Sequence, residues 1–267
     1  MFTDLFIGGF AGIFSRTITA PLELYKIQRQ NAFMPNATLR DVIKKEGFRY
    51  LWKGHGTNCI RAFPQKAINY GIFSFARDNI FNKIPNDKIK NFLSGSAGGT
   101  VAIISTYPLE TIRTRLALQS SQSHYTGIYD AFKKIPFVDL YKGLKISIIG
   151  FAPFSAINFM LYFSYKEQFE KHSTLNPDIN KLICGGLAGV TALSITYPTD
   201  LMRRRFQLQN FDPCVPRYSG IRDCVSKIYY QEGLRGLYAG LKAAQIRQFP
   251  TVALQFWTME KLNELLK

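Results

Sequence analysis

The stretch PLELYK at residues 21–26 returns as PLETIR at 108–113 and as PTDLMR at 198–203. Each copy has a proline, an acidic residue two positions later, and a basic residue three positions after the acid. The prolines lie 87 and 90 residues apart. Because self-similarity at a long, nearly constant period is typical of repeat architectures, the sequence predicts three related units over residues 1–84, 88–169 and 178–267.

Glycines and further prolines recur in the same register. Glycines four residues apart precede each copy, at Gly8 and Gly12, Gly95 and Gly99, and Gly185 and Gly189. Downstream, an aromatic residue and a glycine recur as WKG, YKG and YAG, which end at Gly54, Gly143 and Gly240. A proline follows ten residues after each of these glycines, at Pro64, Pro153 and Pro250. Because small residues four apart let helices approach closely in lipid, each repeat is expected to contain two packed apolar helices.

Uncharged runs of the sequence have the length of membrane spans. Residues 91–109, 146–165 and 182–199 lack Asp, Glu, Lys and Arg, and about 20 apolar residues cross a bilayer as a helix. Shorter apolar runs cover residues 5–15, 67–76 and 248–259, so six spans are predicted. The mean hydropathy of −0.06 is low for a membrane protein, and composition alone leaves a soluble helical protein open.

Composition excludes several classes of protein. The chain has 267 residues, of which 46% are hydrophobic, too many for a disordered chain. Cysteines 59, 184, 214 and 224 form no CxxC pair. The sequence therefore suggests neither a zinc site nor a disulfide scaffold. An enzyme is disfavoured because no GxxxxGK[ST], GxSxG or Cys/His constellation occurs.

A formal net charge of +16 would ordinarily indicate a nucleic-acid partner. Here the apolar runs separate the basic residues, and the polar connections contain no RNP-like or helix-turn-helix pattern. A basic, membrane-bound nucleic-acid-binding or scaffold protein is kept as the alternative from a different class.

Charged residues at the ends of the predicted spans come in matched pairs. An acid and a base three residues apart share one helix face, and ionisable groups in a span face the protein interior or a water-filled cavity. Three such helices can form a ring of inter-helix ion pairs that seals one end of a central cavity and acts as a gate. The alternative is that each acid pairs with the base of its own helix. The ring would contain Glu23, Lys26, Glu110, Arg113, Asp200 and Arg203.

Arg61, Gly150 and Arg247 each stand three residues before a proline of the second helix of a repeat. They lie about 10 Å along the helix from the preceding glycine, near the expected bilayer midplane. An arginine at that depth needs a water-filled cavity or an anion, and its planar guanidinium suits phosphate. Gly150 beside Phe151 would leave an apolar slot for a flat ring. The alternative is that Arg61 and Arg247 pair only with helix carbonyls.

These motifs resemble those of the mitochondrial carrier family. The family motif joins Pro-x-acidic-x-x-basic-x-basic to acidic-Gly, four residues, and aromatic-basic-Gly. Matches cover residues 21–26 with 46–54, and residues 198–205 with 232–240. The departures are Gln28 for the second base of the first repeat, Ile135-Pro136 for acidic-Gly, and Ala239 for the last base.

The resemblance implies an all-α membrane protein with six transmembrane helices in three pseudo-threefold repeats, each with a short matrix-side helix. It implies a monomer in the mitochondrial inner membrane, both termini towards the cytosol, without metal or cofactor. The ion-pair ring would be the matrix gate, with Gln30 and Gln207 as braces and no brace at Ala117. The cytosolic gate would retain Arg77, Lys166 and Glu260, and the helix starts after Gly54, Gly143 and Gly240 would bind cardiolipin as a structural lipid.

The resemblance also bears on the substrate. In the family, the positions of Arg61, Gly150 and Arg247 contact substrate, and Asn69 and Phe151 lie in similar stretches. SRTITAPLE, GTNCIR and GFAPFSAI look most like the ATP-Mg/phosphate, coenzyme A and thiamine pyrophosphate carriers, and RAFPQKAIN is similar to the ADP/ATP carrier, whose RRRMMM sequence is absent here. The predicted function is exchange of adenine nucleotides by alternating access. Transport of coenzyme A or thiamine pyrophosphate is the alternative.

Overall fold

The computed structural model of the chain describes residues 2–31, 39–119, 124–172, 177–211 and 215–265, and these residues are helical without a strand. Cys214 lies outside the described residues. The helices are α1 (Phe2–Ile18), α2 (Ala20–Gln30), α3 (Leu39–Glu46), α4 (His55–Phe75), α5 (Asp87–Leu118), α6 (Ile128–Lys134), α7 (Phe137–Leu140), α8 (Leu144–His172), α9 (Pro177–Gln207), α10 (Ile221–Leu237) and α11 (Leu241–Leu265). A 3-10 turn, Phe48–Trp52, precedes α4, and a π-helical turn, Ala76–Ile80, follows it.

The long helices form a closed circle. Helix α4 packs along α5, α8 along α9, and α11 along α1; looser contacts join α1 to α4, α5 to α8, and α9 to α11. The closest packing therefore occurs between neighbouring repeats. Within each repeat the two long helices are further apart, which leaves space at the centre of the circle.

Length and composition alone mark two helical stretches as able to cross a membrane, Phe137–Lys171 and Ile179–Gln207. The sequence predicted six. The remaining long helices fall short because α1 and α2 are separate helices, because α4 and α11 carry charged residues, and because Asn, Gly, Ser and Thr lower the hydropathy of the uncharged run of α5.

Three glycine turns join the repeats, each turn packing against the next repeat around the circle. Gly54, Gly143 and Gly240 have φ of 77°, 88° and 85°, in the left-handed region that glycine adopts without strain. A Cβ at these positions would lie 2.9 Å from the Arg113 carbonyl oxygen, 3.0 Å from that of Arg203 and 3.2 Å from that of Lys26, respectively. Each turn thus rests on the backbone of the first helix of the next repeat, and the third turn rests on the first repeat.

The prolines of the repeated motif leave a backbone carbonyl without its helical partner. Pro21 deprives Thr17 of that partner, and the indole Nε1 of Trp52 donates to the Thr17 carbonyl at 2.9 Å. The chain turns at Thr19 between α1 and α2, whereas Pro108 and Pro198 lie inside α5 and α9.

Repeats two and three connect the proline region to the glycine turn by a different hydrogen bond. The tyrosine before each proline donates its hydroxyl to the residue before the glycine turn: Tyr107 to the Lys142 carbonyl at 3.1 Å, and Tyr197 to that of Ala239 at 2.8 Å. In each repeat a side chain therefore ties the proline region to the glycine turn.

The predicted role of the paired glycines needs a correction. A Cβ at Gly8, Gly12, Gly95 or Gly185 would meet no atom within 4 Å, so close helix packing does not require glycine there. The second glycine of two pairs is tightly packed as predicted, since a Cβ at Gly99 would lie 2.4 Å from the Phe151 ring and one at Gly189 2.8 Å from Gln248 Nε2. Tight packing also occurs at neighbouring glycines. A Cβ at Gly9 would lie 2.9 Å from the Phe63 ring, at Gly98 2.6 Å from the Asn69 carbonyl, and at Gly186 2.5 Å from the Phe249 ring.

The second repeat lacks the acidic residue of the motif at Ile135, and Asp139 takes its place. In repeat three, Arg205 donates to both carboxylate oxygens of Glu232 at 2.8 Å. The equivalent base of repeat two is Arg115, and Ile135 stands where its acidic partner would be. Arg115 instead lies 3.7 Å from Asp139 and donates to the carbonyls of Gln207 and Gln209. The altered motif keeps a buried base neutralised and also joins α5 to the end of α9.

We predict that Gly143→Ala destabilises the protein more than Gly127→Ala does. A Cβ at Gly143 would lie 2.8 Å from the Tyr107 hydroxyl oxygen at φ 88°, and such overpacking costs about 1–3 kcal/mol. Gly127 has an extended φ of 179° and open space around it. Thermal unfolding of both variants in detergent would measure the difference, and equal midpoints would contradict this account of the turn.

Candidate substrate cavity and charged ring

A cavity of about 410 Å³ lies at the centre of the helix circle. Every long helix contributes to its lining. The contributing residues include Arg16, Glu23, Arg61, Glu110, Gly150, Asp200 and Arg247. A volume of this size lies within the usual range for small-molecule sites.

The six predicted ring residues meet at the end of the cavity next to the glycine turns. Lys26 Nζ lies 2.7 Å from Asp200 Oδ2, Arg113 Nη2 lies 3.0 Å from Glu23 Oε1, and Arg203 pairs with Glu110. Each pair joins two repeats, as the sequence predicted, rather than two residues of one helix. The pairs follow the same cyclic order as the glycine turns.

Arg204 also belongs to this ring, and the sequence analysis missed it. Its Nη1 lies 3.3 Å from Glu110 Oε1 and its Nη2 lies 3.9 Å from Glu23 Oε1. The Nη1 also donates to Thr114 Oγ1 at 2.8 Å. Arg204 has no basic counterpart in the other repeats, so a search for repeated features passes over it; its position four residues after Asp200, on the same helix face, was the available signal.

The predicted braces lie beneath the ring in different ways. Gln30 Nε2 donates to Asp200 Oδ2 at 2.9 Å and to the Tyr197 hydroxyl at 3.1 Å. Gln207 touches the ring through Arg204, whose Nη1 donates to Gln207 Oε1 at 2.9 Å. Ala117 occupies the third position and packs near the Gly54 turn.

Arg61 and Arg247 line the cavity, as predicted, but they also reach the ring. Arg61 Nη1 lies 2.8 Å from Glu110 Oε2, and Arg247 Nε lies 2.8 Å from Glu23 Oε2. Each arginine thus forms an ion pair with a ring carboxylate and also lines the cavity, where an anion could compete for its guanidinium.

Arg16 is a further cavity arginine that the sequence analysis did not select. It lines the cavity from α1, and its Nη1 donates to Asn58 Oδ1 at 3.4 Å. It lies seven residues, or two helical turns, before Glu23, so both residues project towards the same side. That spacing was the sequence signal.

The expected flat slot at Gly150 is filled. A Cβ at Gly150 would lie 2.6 Å from Thr199 Oγ1, so the glycine permits close packing of α8 on α9. The Phe151 ring packs on Gly99 of α5, where a Cβ would lie 2.4 Å from it. Phe151 and Phe154 still line the cavity, as does Asn69, so the apolar wall is made by the two rings and not by the glycine.

The lining of the cavity carries a marked excess of positive charge. The described cationic residues are Arg16, Lys26, Arg61, Arg113, Arg203, Arg204 and Arg247, and the acids are Glu23, Glu110 and Asp200. Seven cations against three carboxylates leave a net charge of +4 in one enclosed space. Charges held away from bulk water in this way favour a multivalent anion.

The three residues predicted for the opposite gate form no pair with one another in the described part of the chain. Lys166 lies 3.6 Å from Glu170 of its own helix, and Arg77 and Glu260 are exposed.

Within the same ranges, no group of three or more His, Cys, Asp or Glu residues could hold a metal ion. Cys59, Cys184 and Cys224 are free thiols. Cys224 of α10 is buried, and burial raises the pKa of its thiol to about 12, which leaves little reactive thiolate at neutral pH.

Comparison with known proteins places these features in a wider group. The family model described as "Mitochondrial carrier protein" matches residues 1–84, 86–173 and 176–267. Human "Solute carrier family 25 member 16" is 36% identical, covering 96% of this chain and 86% of its own length. From Arabidopsis thaliana, "Mitochondrial carrier protein CoAc1" is 32% identical (98% and 89% covered) and "Mitochondrial adenine nucleotide transporter ADNT1" is 30% identical (98% and 86% covered).

We predict that Lys26→Asp or Asp200→Lys alone lowers the unfolding temperature, and that the double exchange recovers much of the loss. Breaking a buried ion pair costs about 3–5 kcal/mol, and these side chains are 6% and 20% exposed. A double-mutant cycle in detergent measures the coupling.

The matched control is the exchange of Lys261 and Glu264, an ion pair whose side chains are 53% and 57% exposed. Exposed pairs contribute about 0–1 kcal/mol, so neither single variant of the control should melt much earlier. Absence of coupling between Lys26 and Asp200 would mean that the ring does not hold the repeats together.

Proposed function

This chain belongs to the mitochondrial carrier family, and we propose that it exchanges adenine nucleotides across the mitochondrial inner membrane by alternating access. Family membership makes it a transporter. The nucleotide, the inner membrane and the exchange mechanism are the proposed parts.

We further propose that all six long segments of the circle span the bilayer, with both termini on the cytosolic side. Helix α4 has 21 residues and is about 30 Å long, the thickness of the hydrocarbon core. The central cavity is lined by charged residues of these helices, namely Glu23, Lys26, Arg61, Glu110, Arg113 and Arg247. A span can carry ionisable groups where they face such a cavity.

The observation that carries the substrate proposal is the excess positive charge of the cavity. Its net charge of +4 and the guanidiniums of Arg61 and Arg247 suit an anion with several phosphate charges. The rings of Phe151 and Phe154 on one wall offer stacking surfaces for a base. The name of the relative ADNT1 agrees with an adenine nucleotide.

The geometry suggests how binding would open the ring. Arg61 of α4 contacts Glu110 of the adjacent α5, and Arg247 of α11 contacts Glu23 of the adjacent α2. A substrate phosphate that takes over these guanidiniums would remove two of the contacts that hold the ring acids. Because a ligand shifts an equilibrium only by its differential affinity for the two states, this exchange of partners provides the coupling between binding and opening.

Coenzyme A and thiamine pyrophosphate remain alternatives within the same class, since both are phosphorylated. A membrane-bound scaffold or nucleic-acid-binding protein would have no use for an enclosed cationic cavity. Cardiolipin is proposed at the helix starts after Gly54, Gly143 and Gly240, where first-turn N–H groups lack helical acceptors and favour phosphate.

We predict that Arg61→Ala and Arg247→Ala each reduce nucleotide exchange roughly 10- to 100-fold, the effect of losing one hydrogen bond to a charged group. The measurement is uptake by liposomes containing purified protein and a panel of internal nucleotides, coenzyme A and thiamine pyrophosphate. Triphosphates and diphosphates should compete better than nucleosides because phosphate contacts supply most of the binding.

Arg222→Ala is the matched control, because Arg222 is an exposed arginine of α10 outside the cavity. It should exchange like the wild type. All three variants should melt near the wild type, since Glu110 and Glu23 keep other basic partners. Undiminished exchange by both cavity variants would refute the assignment of Arg61 and Arg247 as the anion clamp.

We also predict that the empty carrier rests mainly open to the cytosol. Three inter-repeat ion pairs close the ring end, whereas Arg77, Lys166 and Glu260 can supply at most one pair at the other end. A cysteine at Thr196 of the cavity wall, with the four native cysteines replaced, could be labelled by a membrane-impermeant thiol reagent. Faster labelling from the matrix side without substrate would reverse this assignment.

A further inference from the structure

A second cavity, of about 440 Å³, lies between α5 and α8. We call it the annex. Phe151 and Phe154 line both the annex and the central cavity, so the two spaces meet at these rings. The annex occupies the loose interface within the second repeat and lies outside the charged ring.

Aromatic side chains make one continuous wall of the annex. The ring centroids of Phe92 and Phe159 are 6.1 Å apart, those of Phe159 and Phe163 4.6 Å, and those of Tyr162 and Phe163 5.5 Å. Such a wall accepts a chain of low polarity.

Polar groups interrupt this wall. They are Asn91, Ser96, Ser155 and Asn158. The Oδ1 of Asn158 is buried and has no hydrogen-bond donor among the described residues. A buried acceptor without a donor is unfavourable, so the annex is completed by a ligand that brings an N–H or O–H group.

We propose that the annex is a second compartment of the substrate site, which receives an amide-bearing chain attached to the phosphates of a nucleotide. This inference rests on the proposed function, because the nucleotide itself occupies the central cavity. Asn158 lies eight residues beyond Gly150 on α8, about 12 Å along the helix. The extension is therefore a long chain, and its amide N–H donates to Asn158 Oδ1.

A lipid acyl chain is the competing occupant. It would cover the aromatic wall, but it has no hydrogen-bond donor for Asn158. A compact nucleotide would not need the annex at all. The lining thus fits an amide-bearing extension of the nucleotide, which ADP and ATP themselves lack.

The chain offers a substitution that fills the annex without a clash. A Cβ at Gly95, on the annex wall, would meet no atom within 4 Å. Gly95→Leu places a side chain in the annex, and Asn158→Leu removes the acceptor at similar volume. Gly185→Leu is the matched control, because Gly185 holds the equivalent position of repeat three, is equally open, and lines neither cavity.

The test compares ADP with dephospho-coenzyme A, which is ADP extended by an amide-bearing arm. Affinities for the purified protein are measured by calorimetry, and exchange is measured in liposomes. We expect Gly95→Leu and Asn158→Leu to weaken dephospho-coenzyme A about tenfold, as the loss of one contact implies. Their affinity for ADP should stay within about twofold of the wild type, and Gly185→Leu should change neither ligand.

Equal losses of affinity for both ligands, or no loss of affinity for dephospho-coenzyme A, would overturn the proposal that the annex binds substrate. Loss of a co-purifying lipid from Gly95→Leu with unchanged ligand affinities would assign the annex to lipid and overturn it too. If the wild type ignores ADP but binds dephospho-coenzyme A in an annex-dependent way, the annex stands and the adenine-nucleotide proposal fails. If the wild type binds neither ligand, both proposals fail.

Discussion

At the ring end, each repeat contacts the base of the repeated motif in the next repeat, and these three contacts close the circle there. The base of the repeated motif contacts the preceding repeat in two ways. Its side chain pairs with a carboxylate, and its backbone carbonyl packs against a glycine turn. Arg113, for example, pairs with Glu23 and carries the Gly54 turn on its carbonyl. Because side-chain and backbone contacts follow the same cyclic order, opening the ring requires movement of whole repeats rather than of single side chains.

The same ring is unbalanced in charge, and this imbalance connects stability to function. Three carboxylates would be neutralised by the three bases of the motif, yet Arg61, Arg204 and Arg247 also lie against them. Burying surplus cations is unfavourable unless an anion accompanies them. The proposed polyphosphate substrate rests on this surplus charge, since such an anion would both neutralise the charge and compete for the contacts that keep the ring closed.

Features that recur in all three repeats could be predicted from the sequence, and features of a single repeat could not. The ion pairs, the helix starts and the position of Arg61 and Arg247 on the cavity lining could be predicted from spacing. Arg204 and the use of Asp139 in place of Ile135 occur once and depend on which side chains meet across helices. The packing of Gly150 on Thr199 is of the same kind, since no local pattern shows which neighbour a glycine admits.

The contacts that join the repeats are alike in all three repeats, whereas the residues of the cavity wall differ between them. This difference explains how one fold can accommodate different substrates. The glycine turns and ion pairs that join the repeats lie at the ring end, away from Phe151 and Phe154. Residues of the cavity wall can therefore change without loosening the circle. The second repeat has changed most, with Gly150 where the other two repeats have arginine, and with the annex between α5 and α8. Loss of a charge and gain of an aromatic space in one sector are the changes that a substrate with one anionic end and one less polar end would select.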